Sequence, residues 1–291
     1  MNNPFRNRRK QRSLSEPKSI CVWGPLGSSG KSVLAANLAC EFALAGRRVL
    51  LVDLDTYAPT LKDLFGVVDS PPGVAAAARL FTQGRLDREQ FERLAVHFEI
   101  GAGSLSLLAG LGSASRWAEL SKEKVEGLIE SAKRNFEVVV IDVASPLESS
   151  IRQVGGVVER NAATRTTLQV ADQTVVVISA DHIGARRLLD SHEQLKELTL
   201  RQILVANRLR RSVLGSRAKH QLQDALAELL GVQIDAFIPD DPESSDRALL
   251  EMMPIALMKR SSPARQAISN FARANFIGEQ SNKKPVITKL G

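Results

Sequence analysis

The stretch GPLGSSGKS, from Gly24 to Ser32, gathers three glycines, three serines and a lysine into nine residues. That composition suits the holding of an anion. Gly27 and Gly30 allow the backbone to turn the N–H groups of Gly27, Ser28, Ser29, Gly30 and Val33 toward a phosphate. A helix beginning at Lys31 would attract the same charge with its N-terminus. Lys31 would set a point charge on the β- and γ-phosphates of a nucleotide, and Ser32 would offer its hydroxyl to Mg²⁺. The strict pattern GxxxxGK[ST] wants glycine at position 25, where this chain has Pro25. A Gly/Ser-rich turn before an ordinary helix is the plainer alternative. The apolar run SICVW before the stretch and the helix-spaced KSVLAANLACEFALAG after it favour a P-loop between strand and helix.

Carboxylates recur at later strand ends. VDLDTYAP places Asp53 and Asp55 at the carboxyl edge of a second strand, where open α/β sheets bind ligands. Paired aspartates there also form turns and cap helices, but behind a phosphate loop they point to metal and water chemistry. EVVVID ends in Asp142, as expected of a carboxylate beside a metal. The next residues are VASPLE, and Pro146 has no N–H to offer a phosphate.

The elements needed to carry these residues are short β-branched runs alternating with amphipathic segments. RRVLLVD, EVVVID, QTVVVIS, QILVAN and VQIDAFI read as strands buried on both faces. SKEKVEGLIESAKRNF, the stretch 149–168, ARRLLDSHEQLKEL and SRAKHQLQDALAELL read as helices. Residues 69–112 are expected to hold two short helices and the strand LSLLAG. SSPARQAISNFARANFIG reads as a capped terminal helix with Ile268, Phe271 and Phe276 on one side. The alternation predicts an α/β fold, a doubly wound, mostly parallel sheet with helices on both faces.

GPLGSSGKS, VDLDTYAP, VVVID, VANRLR and FIPDD occur in an order that resembles the MinD/ParA group of P-loop ATPases, and within it the CpaE-like proteins of pilus assembly and polar positioning. The resemblance spans about residues 19–270. It implies ATP and Mg²⁺ as cofactors, with Lys31 and Asp55 as catalytic residues and Asp55 tied to water activation. Ser32, Asp53 and Asp142 would serve the metal and its waters. Asn207 would read the adenine edge and Arg208 stack over the base, while Pro239 and Asp240 would close over adenine and ribose. The group's signature lysine, which crosses a dimer interface, should stand five residues before Lys31, where this chain has Leu26. A neutral leucine cannot stabilise charge on a transferring phosphoryl group, so slow or absent turnover is expected.

Charge and composition narrow the remaining classes. The 291 residues are 44% hydrophobic and 24% charged, with a net charge of +7. Residues 1–18 supply +5 of it and the segment from Glu279 supplies +2, leaving the body formally neutral. The expected organisation is a disordered basic arm over 1–18, a P-loop ATPase-like domain over 19–278 and a flexible tail over 279–291. The arm RNRRKQRS is expected to be solvated, with acidic lipid or nucleic acid as an alternative contact. No apolar run is long enough to span a bilayer, and a cytoplasmic protein is expected, with membrane or polar association as an alternative and membrane contact at most through the tails. Cys21 and Cys40 lack metal or disulfide spacing, which argues against an iron–sulfur carrier. Arg208, Arg210, Arg211 and Arg217 could face DNA, though the neutral body disfavours it. The expectation is an ATP-dependent homodimer that works with a protein partner of a pilus, secretion or division system. A non-catalytic nucleotide-binding scaffold and a nucleoid-binding segregation ATPase are the alternatives.

Overall fold

A computed structural model describes residues 17–27, 29–71, 73–149, 151–153, 156–199, 201–210, 212, 215, 217–258, 262–278 and 287–288. In chain order the elements are β1 (Ser19–Trp23), α1 (Lys31–Leu44), β2 (Arg48–Leu54), α2 (Leu61–Leu64), α3 (Gly73–Thr82), α4 (Arg88–Leu94), β3 (Val96–Ile100) and β4 (Gly103–Leu108). There follow α5 (Lys122–Asn135), β5 (Val138–Val143), β6 (Ile151–Gln153), β7 (Gly156–Val158), α6 (Ala162–Val170), β8 (Gln173–Ser179) and α7 (His182–Leu198). The chain continues through β9 (Gln202–Leu209), α8 (Ala218–Leu230), β10 (Ile234–Pro239), α9 (Pro242–Glu251), α10 (Pro263–Ala272) and β11 (Ile287–Thr288).

The main sheet has the order β10-β9-β8-β1-β5-β2-β4-β3-β11. From β10 to β4 every neighbouring pair is parallel, whereas β3 is antiparallel to both β4 and β11. The central strands β1 and β5 are buried along their whole length, because helices cover both faces, and this is why they read as continuous apolar runs. One face packs Trp23, Leu50, Val52 and Ile141 against α3, α5, α6, α7 and α8. The other packs Ile20, Leu51 and Val140 against α1 and α10. Ile268, Phe271 and Phe276 are buried in that second layer. Cys21 and Cys40 are free, buried on opposite faces, and burial raises both thiol pKa values.

The parallel strands, the helices α1, α5, α7, α8 and α10, and the LSLL of LSLLAG, which ends β4, lie where the periodicity puts them. Two local readings need correction. The stretch 149–168 is not one helix: β6 and β7 form an antiparallel hairpin and α6 starts only at Ala162. That window holds two adjacent glycines and three valines, types that weaken a helix and suit a strand. Residues 69–112 contain α3, α4 and β4 but also β3, VHFEI, whose first four residues alternate between half-buried and exposed. The arm expected over 1–18, apart from Pro17 and Lys18, lies outside the described residues, as does the tail expected from 279, apart from β11.

At the edge of the sheet opposite the strand ends that carry GPLGSSGKS and the aspartates, Asp172 ties three elements together. Its Oδ2 accepts the N–H groups of Lys18 and Ser19 at 3.0 and 2.9 Å and the Ser19 hydroxyl at 3.1 Å, while Oδ1 accepts Lys133 Nζ at 3.1 Å. Burial alone would raise this carboxyl, but the Lys133 hydrogen bond and the Ser19 N–H outweigh it and hold the pKa below its usual value. The stability it adds is present above the unfolded pKa of about 4 and is lost as pH falls through the depressed folded value. Asp172→Ala is expected to cost about 1–3 kcal/mol in urea unfolding at pH 7, with the difference from wild type shrinking below about pH 4. A difference independent of pH would contradict this assignment.

Candidate functional site

GPLGSSGKS forms the turn between β1 and α1 at the carboxyl edge of the sheet. A methyl group at Gly24 would run into the Val177 carbonyl, so the chain can leave β1 here only as glycine. Gly27 and Gly30 have φ of 105° and 81°, a region costly for other residues. Ser29 N–H donates to the Gly27 carbonyl at 2.7 Å and folds the loop on itself. Gly30 caps α1, and no acidic residue in the helix's first turn competes for its open N–H groups. The Ser29 hydroxyl is buried with no hydrogen-bond partner among the described residues. Ser28 lies outside the described residues.

The loop converges on Lys31. Its ammonium is 2.8 Å from Asp55 Oδ2 and 3.6 Å from Asp142 Oδ1. Asp53 and Asp142 are register partners on β2 and β5, so their side chains leave the sheet on the same face. Burial lowers the Lys31 pKa, but Asp142 and Asp55 outweigh it and raise the value. Asp55 is pushed up by burial yet held below its usual range by the Lys31 charge and hydrogen bond and by the N–H groups of Ala58 and Tyr57. Burial and the mutual repulsion of the pair push Asp53 up to about 8. Asp142 rises to about 6 through burial, partly offset by Lys31 and the adjacent Ser32 hydroxyl.

Asp53 and Asp55 also do the turn-forming work open to aspartates at a strand end. Asp53 accepts the N–H groups of Asp55 at 3.1 Å and Leu61 at 3.0 Å, the latter starting α2. Asp55 Oδ1 accepts Tyr57 and Ala58 N–H, both at 2.9 Å. Asp142 differs. Both of its oxygens are buried and neither meets a hydrogen-bond partner in acceptable geometry among the described residues, Ser32 included. An orphaned buried carboxylate beside a serine hydroxyl fits a divalent cation. No cluster of three metal-binding side chains occurs among the described residues, but Mg²⁺ bound with phosphates needs only one or two protein carboxylates.

From Gly30 a cavity of about 190 Å³ runs along α1, lined by Val33, Asn207, Arg208, Pro239 and Asp240 among others. Every residue expected around the base therefore shares one pocket with the loop. Asn207 Nδ2 donates to the Ser29 carbonyl at 2.8 Å and Oδ1 accepts Arg208 N–H at 2.9 Å, so Asn207 ties β9 to the loop. Arg208 is left-handed, with φ of 58°, a conformation that costs an ordinary residue roughly 1 kcal/mol or more. Arg208, Arg210 and Arg217 are exposed; Arg211 lies outside the described residues.

Sequence reasoning missed a second layer. Tyr57 Oη donates to Asn161 Oδ1 at 2.8 Å, and Asn161 Nδ2 donates to the Glu148 carbonyl at 3.1 Å. Arg160 donates to the Thr56 hydroxyl and carbonyl at 2.8 and 2.9 Å and lies 3.8 Å from the Tyr57 ring centre. These bonds join the loop after Asp55 to the loop after Asp142. No motif spacing announces them, because the turn that enters α6 brings in residues 104 positions away.

A glycine turn between a parallel strand and a helix, with its lysine among strand-end carboxylates, defines a P-loop nucleotide-binding fold. The model of the CobQ/CobB/MinD/ParA nucleotide binding domain matches residues 20–255, and the chain belongs to that family. It is 24% identical over 226 residues to the septum site-determining protein MinD of Synechocystis sp., covering 76% of each chain. A ParA family ATPase from Chlorobium tepidum shares the fold with a TM-score of 0.71 at 20% identity, over 88% of this chain and 98% of that one. MinD of Pyrococcus horikoshii, solved with Mg-ADP, does so with a TM-score of 0.64 at 21% identity, over 88% and 95%.

Removing the Lys31 ammonium strands buried carboxylates, which costs roughly 3–5 kcal/mol when no proton or solvent relieves them. Lys31→Ala is expected near the lower end in urea unfolding, and the Lys31→Ala/Asp55→Ala cycle should show a coupling of about 1–3 kcal/mol. Strictly additive losses would show that the contact carries no energy.

Proposed function

We propose that this chain is an ATP-binding switch in which Lys31 exchanges its carboxylate partners for the nucleotide's phosphates. The observation that carries the reading is the continuity of the loop, the Lys31–Asp55 pair and the apolar cavity, which together match the charged and uncharged ends of a nucleotide. The base would enter between Asn207 and Pro239–Asp240, with Arg208 at its face. The phosphates would lie along the backbone N–H groups of residues 27–33. Mg²⁺ bound with the nucleotide would neutralise charge on the phosphate oxygens, held by the Ser32 hydroxyl and, through its waters, by Asp142 and Asp53.

Once Lys31 turns to the phosphates, Asp55 loses its cation partner while its N–H donors keep it in place. It is then positioned to orient a water for attack on the γ-phosphate. The Tyr57–Asn161–Glu148 chain would carry that change to the loop containing Pro146. The switch would thereby alter a surface read by a second copy or by a protein partner of a pilus, secretion or division system, as the CpaE-like resemblance suggests. Leu26, 62% exposed at the loop's tip, carries no charge, and Pro146 offers no N–H; both support slow turnover. The same two residues support the second reading, a scaffold that binds nucleotide without hydrolysing it. The exposed arginines keep a DNA-dependent role as a third outcome to be tested by ATP-dependent, salt-sensitive DNA retention.

Mg-ATP binding and single-turnover hydrolysis, measured together, separate these readings. Wild type should bind and turn over slowly, Lys31→Ala should lose at least about tenfold in affinity, and Asp55→Ala should bind but not turn over. Leu26→Lys should raise the rate by more than about tenfold if the missing cation limits it. Binding without hydrolysis in wild type and Leu26→Lys alike would make the chain a scaffold, and absence of binding would remove the nucleotide reading.

A further inference from the structure

The loop's two left-handed glycines are each covered by one side chain. A Cβ built on Gly30 would meet the Asn207 amide, and a Cβ built on Gly27 would meet three atoms of the Arg187 guanidinium before anything else. Asn207 belongs to the cavity proposed for the base. Phosphates strung along the loop from that end reach the Gly27 turn last, so Arg187 stands at the end where a third phosphate would lie.

Arg187 is set there by α7. Asp181 caps the helix by accepting Gly184 N–H at 2.8 Å, and Leu188 and His192 bury its inner face. The neighbouring Arg186 pairs with Asp190 at 3.0 Å, whereas the Arg187 guanidinium has no hydrogen bond or carboxylate partner among the described residues. An exposed arginine without a partner ordinarily extends into water; this one rests on bare glycine backbone. The chain thus holds a cation over the outer turn of the loop, while the loop's own residue at that end, Leu26, is neutral.

We infer that Arg187 binds the terminal phosphate of a nucleoside triphosphate in cis and thereby lets the site distinguish ATP from ADP. A guanidinium is suited to this, because its planar fork donates two parallel hydrogen bonds to phosphate oxygens and stays charged at any working pH. Such an arginine stabilises charge on a phosphoryl group whether or not hydrolysis follows. It also makes the seat of α7 depend on which nucleotide is bound. The inference rests on the nucleotide reading above and extends it to a residue on a different element.

The test is equilibrium binding of Mg-ADP and of a Mg-bound non-hydrolysable ATP analogue to wild type, Lys31→Ala, Arg187→Ala and Arg187→Lys. Arg187→Ala should keep the wild-type melting temperature, since Arg187 is exposed, and lose roughly ten- to a hundredfold in affinity for the analogue. Its affinity for Mg-ADP should stay within about twofold, and Arg187→Lys should recover part of the loss. Equal losses for both nucleotides, or no loss, would overturn the inference while leaving the nucleotide reading intact. A wild type that binds neither nucleotide would overturn both.

Discussion

One ammonium group balances three carboxylates at the carboxyl edge of this sheet. Lys31 lies 2.8 Å from Asp55 and 3.6 Å from Asp142, with Asp53 beside Asp142 in register. Burial drives Asp53 and Asp142 up, with repulsion among the carboxylates adding to it, while Asp55, in direct contact with Lys31, is held below its usual range despite burial. The arrangement is balanced but not saturated, because Asp142 keeps two oxygens without a hydrogen bond.

The fold exists around that constraint. Placing β1 between β5 and β8, with β2 on the far side of β5, brings the glycine loop beside two acidic strand ends. Trp23, at the last position of β1, donates from Nε1 to the Ser145 carbonyl at 3.0 Å and so fixes the loop after Asp142 against the strand that feeds the phosphate loop. Arg160 and Asn161 then hold the two acidic loops to each other. A shift of Lys31 therefore reaches several loops through direct hydrogen bonds.

Much of this was legible from residue order. Parallel strands buried on both faces appear as β-branched runs, and strand-loop-helix context locates Lys31, Asp53, Asp55 and Asp142 at one edge. The base pocket was legible only through VANRLR and FIPDD, whose roles came from resemblance to the family. The hairpin at 151–158 was lost because a periodicity of mixed residues looked helical in a window where glycine and valine decide the matter. Arg187, Arg160 and Asn161 were invisible for another reason. Their meaning comes from tertiary contact across long sequence separations, and nothing in their local spacing marks them. The capping work of Asp53 was legible only as an alternative, since the same two aspartates suit a turn and a metal equally well.

In the proposed switch, the Lys31–Asp55 contact is a ligand-free arrangement that phosphate displaces. A crystal structure with Mg²⁺ and a non-hydrolysable ATP analogue tests it directly. Lys31 Nζ is expected on phosphate oxygens and no longer on Asp55, with the base between Asn207 and Pro239–Asp240. A nucleotide bound elsewhere, or bound with the Lys31–Asp55 pair intact, would contradict it.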